Sequence, residues 1–271
     1  MDAYGVVGNP INHSKSPKIH HLFAEQLGHQ ISYSKIESTL EDFTQTIELF
    51  FTKGGKGLNI TLPFKEAAFK LSDSYGQSAE NCQAVNTLSF SEDGRIYGES
   101  TDGLGLIKDL ENNDIYIEGK EVLILGSGGA ARSVIPSLHQ KDIAGLTLCN
   151  RTMEKAIKIK EDFIHLREIN VLEGQSLKNH YDIVINATSA NLNNEAPEIN
   201  PDVFNGSMCY DMGYTYGDTF FLNWAKRFNP SFSLQGWGML VEQAAESFYI
   251  WRGVRPDTEE IILRLQKETE N

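Results

Sequence analysis

Val122-Leu123-Ile124-Leu125-Gly126-Ser127-Gly128-Gly129-Ala130-Ala131 decides the fold. Four apolar residues run into a glycine-rich turn, and the residues that follow have helical character. A strand that enters a helix through such a turn lets backbone N–H groups and the positive helix end meet a pyrophosphate with no Cβ in the way. About twenty residues on, Leu146-Thr147-Leu148-Cys149-Asn150 reads as the next strand, and Arg151-Thr152 follows it. Chains that bind NAD place an acidic residue at this point to bond the ribose hydroxyls. A carboxylate would repel a 2′-phosphate, whereas a guanidinium grips it bidentately, so the site reads as one for NADP. A G-x-G-x-x-A motif alone is weak, because glycines also serve turns and caps. Strand before, helix after and arginine at the right distance carry the reading together. A merely solvated Arg151 would sit at a helix start, where the helix dipole disfavours a cation.

Outward from this core, short apolar runs alternate with amphipathic segments: Tyr4 to Val7, Ile31 to Ile36, Gly57 to Ile60, Val122 to Leu125, Leu146 to Cys149, Asp182 to Asn186 and Met208 to Asp211. That is a βα alternation. Pro17 to Leu27 predicts a helix with Ser16 as its cap and Gly28 as its stop. A hairpin is expected over Val85 to Gly98, turning at Glu92-Asp93-Gly94. The nucleotide-binding βαβ begins only near residue 120, so the first hundred residues form a separate α/β unit. The expected domains are 1–102 for substrate, 103–235 for a Rossmann-like, doubly wound NADP-binding domain, and 236–271 for C-terminal helices that return to the first domain. The last rests on the wide apolar helical pattern from Gly238 to Trp251. Asn191 to Asn194 reads as a polar loop.

With 40% hydrophobic and 23% charged residues, the 271-residue chain can fill two modest cores. Its net charge of −13 and lack of a dense basic run argue against nucleic acid. Cys82, Cys149 and Cys209 are far apart in apolar surroundings and read as buried thiols of a reducing compartment. With no C-x-x-C, no H-E-x-x-H and no ligand spacing among the seven histidines, no metal is expected. Neither a signal sequence nor a membrane span is legible, so a cytoplasmic protein is expected. Monomer and homodimer both stay open.

Asn59-Ile60-Thr61-Leu62-Pro63-Phe64-Lys65 is the second informative stretch. A strand ends there, where open α/β sheets bind ligands, and Lys65 falls on the first helical turn, electrostatically the wrong end for a cation. Asn59, Thr61 and Lys65 could converge on a small polyol. The plainer alternative makes Thr61 a cap, Asn59 a loop brace and Lys65 a solvated cation. Asn86-Thr87 and Thr101-Asp102-Gly103 flank the hairpin, so Asn86 and Asp102 can meet and Asp102 can pair with Lys65, or else cap its own helix. His13-Ser14-Lys15-Ser16-Pro17 offers two hydroxyls after the first strand.

Taken with Asn9-Pro10, Asn186-Ala187-Thr188-Ser189, Tyr210-Asp211-Met212 and Gly236-x-Gly238-Met239-Leu240-Val241-x-Gln243-Ala244, these motifs closely resemble the shikimate dehydrogenase family along almost the whole chain. The resemblance implies reversible NADPH-dependent reduction of 3-dehydroshikimate to shikimate. It implies Lys65 as the acid/base with Asp102 as its partner. Ser14 and Ser16, helped by Tyr214, would hold the carboxylate, and Asn59, Thr61, Asn86 and Gln243 the hydroxyls. Gly126, Ser127, Gly128, Gly129 and Ala130 would line the pyrophosphate. Asn150, Arg151, Thr152 and Lys155 would meet the adenosine phosphate, and Thr188, Met212, Gly236 and Met239 the rest of the cofactor. Lys155 stands where many NADP-using members carry a second arginine, a point charge in place of a fork, which weakens the expected preference for NADP. A quinate-oxidising paralogue and a non-catalytic sensor of NADP and shikimate-like ligands remain as alternatives; the intact lysine–aspartate pair argues against the sensor.

Overall fold

The computed structural model describes residues 1–271 apart from 92, 167, 179, 189–195 and 268–271. Glu92 of the expected turn, Ser189 of its motif and the loop at Asn191 to Asn194 therefore lie outside the described residues. Two compact units are present, one of Met1–Gly105 with Leu240–Arg264, the other of Leu106–Met239 with Leu265–Asn271. The expected bounds stood at 102 and 235, and the expected C-terminal segment is shared between the two units.

Unit 1 is built on a six-stranded mixed sheet in the order β2-β1-β3-β5-β6-β4. Its strands are β1 (Asp2–Gly8), β2 (Ile31–Glu37), β3 (Gly57–Ile60), β4 (Ser74–Tyr75), β5 (Thr87–Phe90) and β6 (Ile96–Glu99). β1 runs parallel to both β2 and β3, and β5 pairs antiparallel with β3 and β6. A strand with parallel neighbours on both sides is covered on both faces, which is why the end of β1, from Tyr4 to Val7, reads as an apolar run. Helices α1 (Ser16–Leu27), α2 (Phe43–Thr52), α3 (Lys65–Leu71) and α4 (Gln77–Cys82) join them. One apolar core gathers Val7, Phe43, Ile47, Leu58, Ile60, Phe64 and Leu88.

Gly28 ends α1 in the left-handed region at φ +68°, its N–H meeting Ala24 and Glu25 carbonyls, as the sequence predicts. The start of α1 differs from expectation. Ser16 is already its first residue, and Lys15, at the cap position before it, makes no side-chain cap bond; instead the Ser16 N–H donates to Ser14 Oγ at 3.3 Å. Thr61 likewise does not cap α3, which begins after Phe64 without a side-chain cap. The hairpin forms with Leu88 opposite Gly98 and Phe90 opposite Ile96, and Gly94 takes φ +83° in its turn.

Unit 2 is an all-parallel sheet in the order β12-β11-β10-β7-β8-β9. The strands are β7 (Glu121–Leu125), β8 (Gly145–Cys149), β9 (Ile169–Val171), β10 (Ile183–Asn186), β11 (Met208–Asp211) and β12 (Phe232–Gln235). From β7 the chain goes out through α6 (Gly129–His139) and α7 (Met153–Asp162) to one side, then returns to place β10, β11 and β12 on the other. The order reverses between β7 and β10. That is the switch point of a doubly wound sheet, where the strand C-termini leave a crevice for a ligand. The remaining α-helices among the described residues are α5 (Asp102–Asn112), α8 (Phe220–Ala225), α9 (Trp237–Arg252) and α10 (Glu259–Lys267). Among the described residues, no helix is long and apolar enough to cross a membrane.

The core of unit 1 also fixes the residue that precedes Lys65. Phe64 is fully buried and stacks on Phe43 with centroids 4.8 Å apart. Phe64→Ala should therefore cost about 3–5 kcal/mol in denaturant unfolding. A loss under about 1 kcal/mol would mean that the ring is not the anchor of this turn.

Candidate functional site

In unit 1 the end of β3 and the end of the hairpin carry the polar residues. Thr61 N–H extends the β1 pairing by donating to Val7 O at 3.0 Å, and Lys65 O accepts from Val85 N at 3.0 Å. These bonds set the first turn of α3 beside the Asn86 segment. Lys65 Nζ lies 2.5 Å from Asp102 Oδ2, with the two side chains 12% and 9% exposed. A pair so far removed from water is tolerable only if its remaining lone pairs are satisfied. Asn86 does this, donating from Nδ2 to Asp102 Oδ1 at 2.9 Å.

The same Nδ2 faces Thr101 Oγ1 at 2.9 Å and Gln243 Oε1 at 3.1 Å. An amide has two hydrogens, so these three acceptors share them, and Gln243 Oε1 also lies 3.4 Å from Thr101 Oγ1. Asn86 Oδ1 is held in turn by Thr101 N–H at 2.9 Å and Thr87 Oγ1 at 3.0 Å. Gln243 stands on α9 and is fixed by its own bond to Leu240 O at 2.8 Å.

Asn59 is buried one layer below. Its Oδ1 accepts from Tyr33 OH at 2.7 Å and from His20 Nε2 at 3.1 Å. Its Nδ2 meets Ser247 Oγ at 2.9 Å, Asn86 O at 3.2 Å and Thr87 Oγ1 at 3.3 Å. Every donor and acceptor of this amide is thus engaged within the protein. Thr61 is half-buried and its hydroxyl has no bond to a described group, leaving it available. Ser14 and Ser16 sit at the start of α1 with their hydroxyls 3.2 Å apart. Tyr214 belongs to unit 2, where it packs on Trp237 at 4.7 Å and burial pushes its phenol up to about 12.

Sequence reasoning missed His20, Tyr33 and Ser247. Helical spacing held a clue to two of them, since His20 lies four residues after Ser16 and Ser247 four after Gln243. Tyr33 carries no such signal, because an aromatic residue in an alternating strand reads as core.

In unit 2 the cofactor candidates gather at the C-terminal ends of β7, β8, β10 and β11. Gly126 has φ +108°, and a Cβ there would press on Ala187 backbone atoms at 3.1 Å. Gly128 has open space where its Cβ would be, and no side chain caps α6, which begins at Gly129 and continues with Ala130. Ser127 Oγ is buried and, among the described residues, has no hydrogen-bond partner. An orphaned hydroxyl beside an uncapped helix start fits a phosphate oxygen. Asn150 Nδ2 closes the turn after β8 on Thr152 O at 2.8 Å. Arg151 and Lys155 beyond it are exposed and, among the described residues, engage no carboxylate. Two unpartnered cations there suit a 2′-phosphate.

Thr188 is tied to Asn186 Oδ1 at 2.7 Å, and Asn186 to Asp211 Oδ1 at 3.0 Å, which fixes the loops after β10 and β11. Met212 N–H donates to Asn186 O at 2.9 Å. Gly236 passes so close to Met212 that a Cβ would lie 2.6 Å from its carbonyl oxygen. Met239 is buried early in α9.

Comparison with known proteins gives concordant matches. Residues 6–88 match the family profile "Shikimate dehydrogenase substrate binding domain", residues 109–196 "Shikimate / quinate 5-dehydrogenase", and residues 236–262 "Shikimate 5'-dehydrogenase C-terminal domain". A shikimate dehydrogenase (NADP(+)) of Cellvibrio japonicus is 44% identical over 98% of this chain and 98% of its own. An Ael1 enzyme from Pseudomonas putida superimposes with a TM-score of 0.91 at 41% identity, covering 100% of both chains. Shikimate 5-dehydrogenase from Thermus thermophilus, solved with NADP(H) and shikimate, gives a TM-score of 0.86 at 30% identity over 97% of this chain and 99% of that one.

The buried histidine carries a measurable consequence. His20 is fully buried and stacks on Tyr33 at 4.6 Å, and desolvation lowers its pKa to about 3. The unfolded chain takes up a proton near pH 6.5, whereas the folded chain does not until about pH 3. Stability from this group is therefore complete above pH 6.5 and falls on acidification by about 1.4 kcal/mol per pH unit. NMR titration should show the His20 imidazole neutral at pH 5; a midpoint near 6.5 would refute the buried, uncharged assignment.

Proposed function

Because the chain belongs to the shikimate dehydrogenase family, we propose that it interconverts 3-dehydroshikimate and shikimate with NADP, and that Lys65 and Asp102 form its acid–base centre. The observation that carries this reading is the Lys65–Asp102 pair at 2.5 Å, braced by Asn86. NADPH, when bound, supplies the hydride that reduces the C3 carbonyl. Lys65 Nζ gives a proton to the C3 oxygen during reduction and takes it back from the C3 hydroxyl during oxidation. Asp102 holds both the ammonium and the reacting hydroxyl.

Ser14 and Ser16 donate to the ring carboxylate, with Tyr214 as a third donor. Thr61, Asn86 and Gln243 take the other hydroxyls. Asn59, whose amide is already committed, supports this set by fixing the Asn86 segment from below. A trihydroxy acid calls for this kind of inventory, many hydroxyl and amide partners and few apolar ones. On the cofactor side, Gly126, Ser127, Gly128, Gly129 and Ala130 hold the pyrophosphate, and Asn150, Arg151, Thr152 and Lys155 the 2′-phosphate. Thr188, Met212, Gly236 and Met239 border the remainder. The three cysteines are buried and form no disulfide with one another, and burial pushes the Cys149 and Cys209 thiols up to about 11, which suits a cytoplasmic setting.

Loss of NADPH absorbance on adding 3-dehydroshikimate tests the activity, with quinate and NADP+ as the competing pair. In that assay Lys65→Ala should lower kcat by about 10²–10⁴-fold while largely sparing KM; a near-normal kcat removes Lys65 from the role. Arg151→Ala should raise KM for NADP by about ten- to a hundredfold and leave the weak use of NAD unchanged. Equal effects on both cofactors would contradict the phosphate clamp.

A further inference from the structure

We propose that Asp109, held by Tyr210, is a positioning residue for the nicotinamide end of the cofactor crevice, where it seats the turn of residues 236–239 before the cofactor arrives. The inference rests on the NADP reading of unit 2 and goes beyond it, because Asp109, Tyr210 and Gly238 are not among the residues assigned to touch the cofactor.

All the groups involved belong to unit 2. Tyr210 lies on β11, is fully buried, and donates from its hydroxyl to Asp109 Oδ2 at 2.6 Å. Burial, with Asp109 beside it, holds this phenol well above its usual range, so it keeps the hydrogen that the bond needs. Asp109 stands on α5 and is itself buried. Asn113, just past the end of α5, donates from Nδ2 to Asp109 Oδ1 at 3.2 Å and to the Asp109 carbonyl at 2.8 Å. Each oxygen of the carboxylate therefore has a donor, and the group is fixed in direction.

What lies against this carboxylate is backbone. A Cβ at Gly238 would overlap Asp109 Oδ1 and Cγ, and because the carboxylate is held, no rotation of it relieves the overlap. Glycine at 238 thus admits Asp109 to the start of α9. The first N–H groups of a helix have no partner within it and carry partial positive charge, which a carboxylate complements. From the other side the same turn is held by the loop after β11. Gly236 N–H donates to Gly213 O at 3.0 Å, and Trp237 Nε1 donates to Thr215 O at 3.2 Å. β11 accordingly governs both attachments, one through the loop that follows it and one through Tyr210 and Asp109. Met239 comes next in the chain, and with Gly236 and Met212 it borders the end of the cofactor that carries the nicotinamide. A turn already seated in the free protein spares the ordering entropy otherwise lost when that ring docks. A ligand without the ring gains nothing from it.

The test compares, by calorimetry, the Kd of NADP+ with that of 2′-phospho-ADP-ribose, which keeps every phosphate and lacks the nicotinamide. Four proteins are measured: unaltered, Asp109→Asn, Tyr210→Phe and Gly238→Ala. Asp109→Asn preserves shape and removes the charge at the start of α9, and it should weaken NADP+ by about two- to tenfold, the span expected for a carboxylate at a helix start. Binding of 2′-phospho-ADP-ribose should stay within about twofold of the unaltered protein. Tyr210→Phe, which frees the carboxylate, and Gly238→Ala, which displaces it, should show the same selective loss. A merely structural role would move both ligands together. Equal weakening of the two ligands, or no weakening of either, in an Asp109→Asn protein of normal thermal stability overturns the proposal. Should Asp109→Asn fail to fold, Tyr210→Phe decides by the same ratio. If the unaltered protein binds neither ligand, the NADP reading falls, whereas binding of both with a ratio indifferent to the substitutions sinks only the role of Asp109.

Discussion

An ammonium and a carboxylate held 2.5 Å apart, each about nine-tenths out of water, form the constraint around which unit 1 is arranged. Neither charge is tolerable there alone. Removing one partner of such a pair typically costs about 3–5 kcal/mol, because the other is left desolvated and uncompensated. The surrounding polar residues follow from that requirement. Asn86 occupies the second oxygen of Asp102, Thr101 and Thr87 orient Asn86, and Asn59 with Ser247 ties the whole to β3 and α9. A buried polar network of this kind is stable only when fully satisfied, and it then fixes geometry more tightly than apolar packing does. Such rigidity serves a proton donor well, since a donor must be oriented before the reaction and not during it.

Topology explains why these side chains are available. In unit 1, β3 stops at Ile60 and the hairpin hands the chain to α5 at Asp102, so Lys65 and Asp102 come from opposite sides of the Asn86 segment. In unit 2, the order β12-β11-β10-β7-β8-β9 puts the glycine turn at the point where the winding reverses. Both sets of candidate residues therefore stand at strand ends, where backbone bonding ceases and polar groups are free for a ligand. Gly126 and Gly236 mark places where the backbone itself must come close, the first through a positive φ and the second through contact with Met212 O.

Much of this was legible in the chain, for reasons that can be named. β3 and β11 are legible to the residue because each is a short, buried strand made mostly of apolar residues between polar, turn-forming stretches. β4, β9 and β12 left no such trace. Two or three residues long, or half-exposed at a sheet edge, they are held by backbone bonds that any side chain permits. Lys65 stood out through its unfavourable place at a helix start, and Asp102 through the hairpin that returns it to Asn86. Ser16 and Thr61 were both eligible as caps by residue type, and coordinates were needed to show that neither caps its helix. The committed amide of Asn59 was equally invisible, because its partners Tyr33, His20 and Ser247 come from three distant segments and each alone reads as core.

The claim that most of this account depends on is that Lys65 moves the proton at C3. Chemical rescue tests it directly: small primary amines are added to Lys65→Ala during shikimate oxidation, and kcat is followed against amine concentration and amine pKa. The account predicts recovery that rises with the concentration of amine and tracks its basicity, as a free amine takes over the proton at the vacated position. A kcat indifferent to every amine tried, in a variant that still binds shikimate and NADP+, would contradict it.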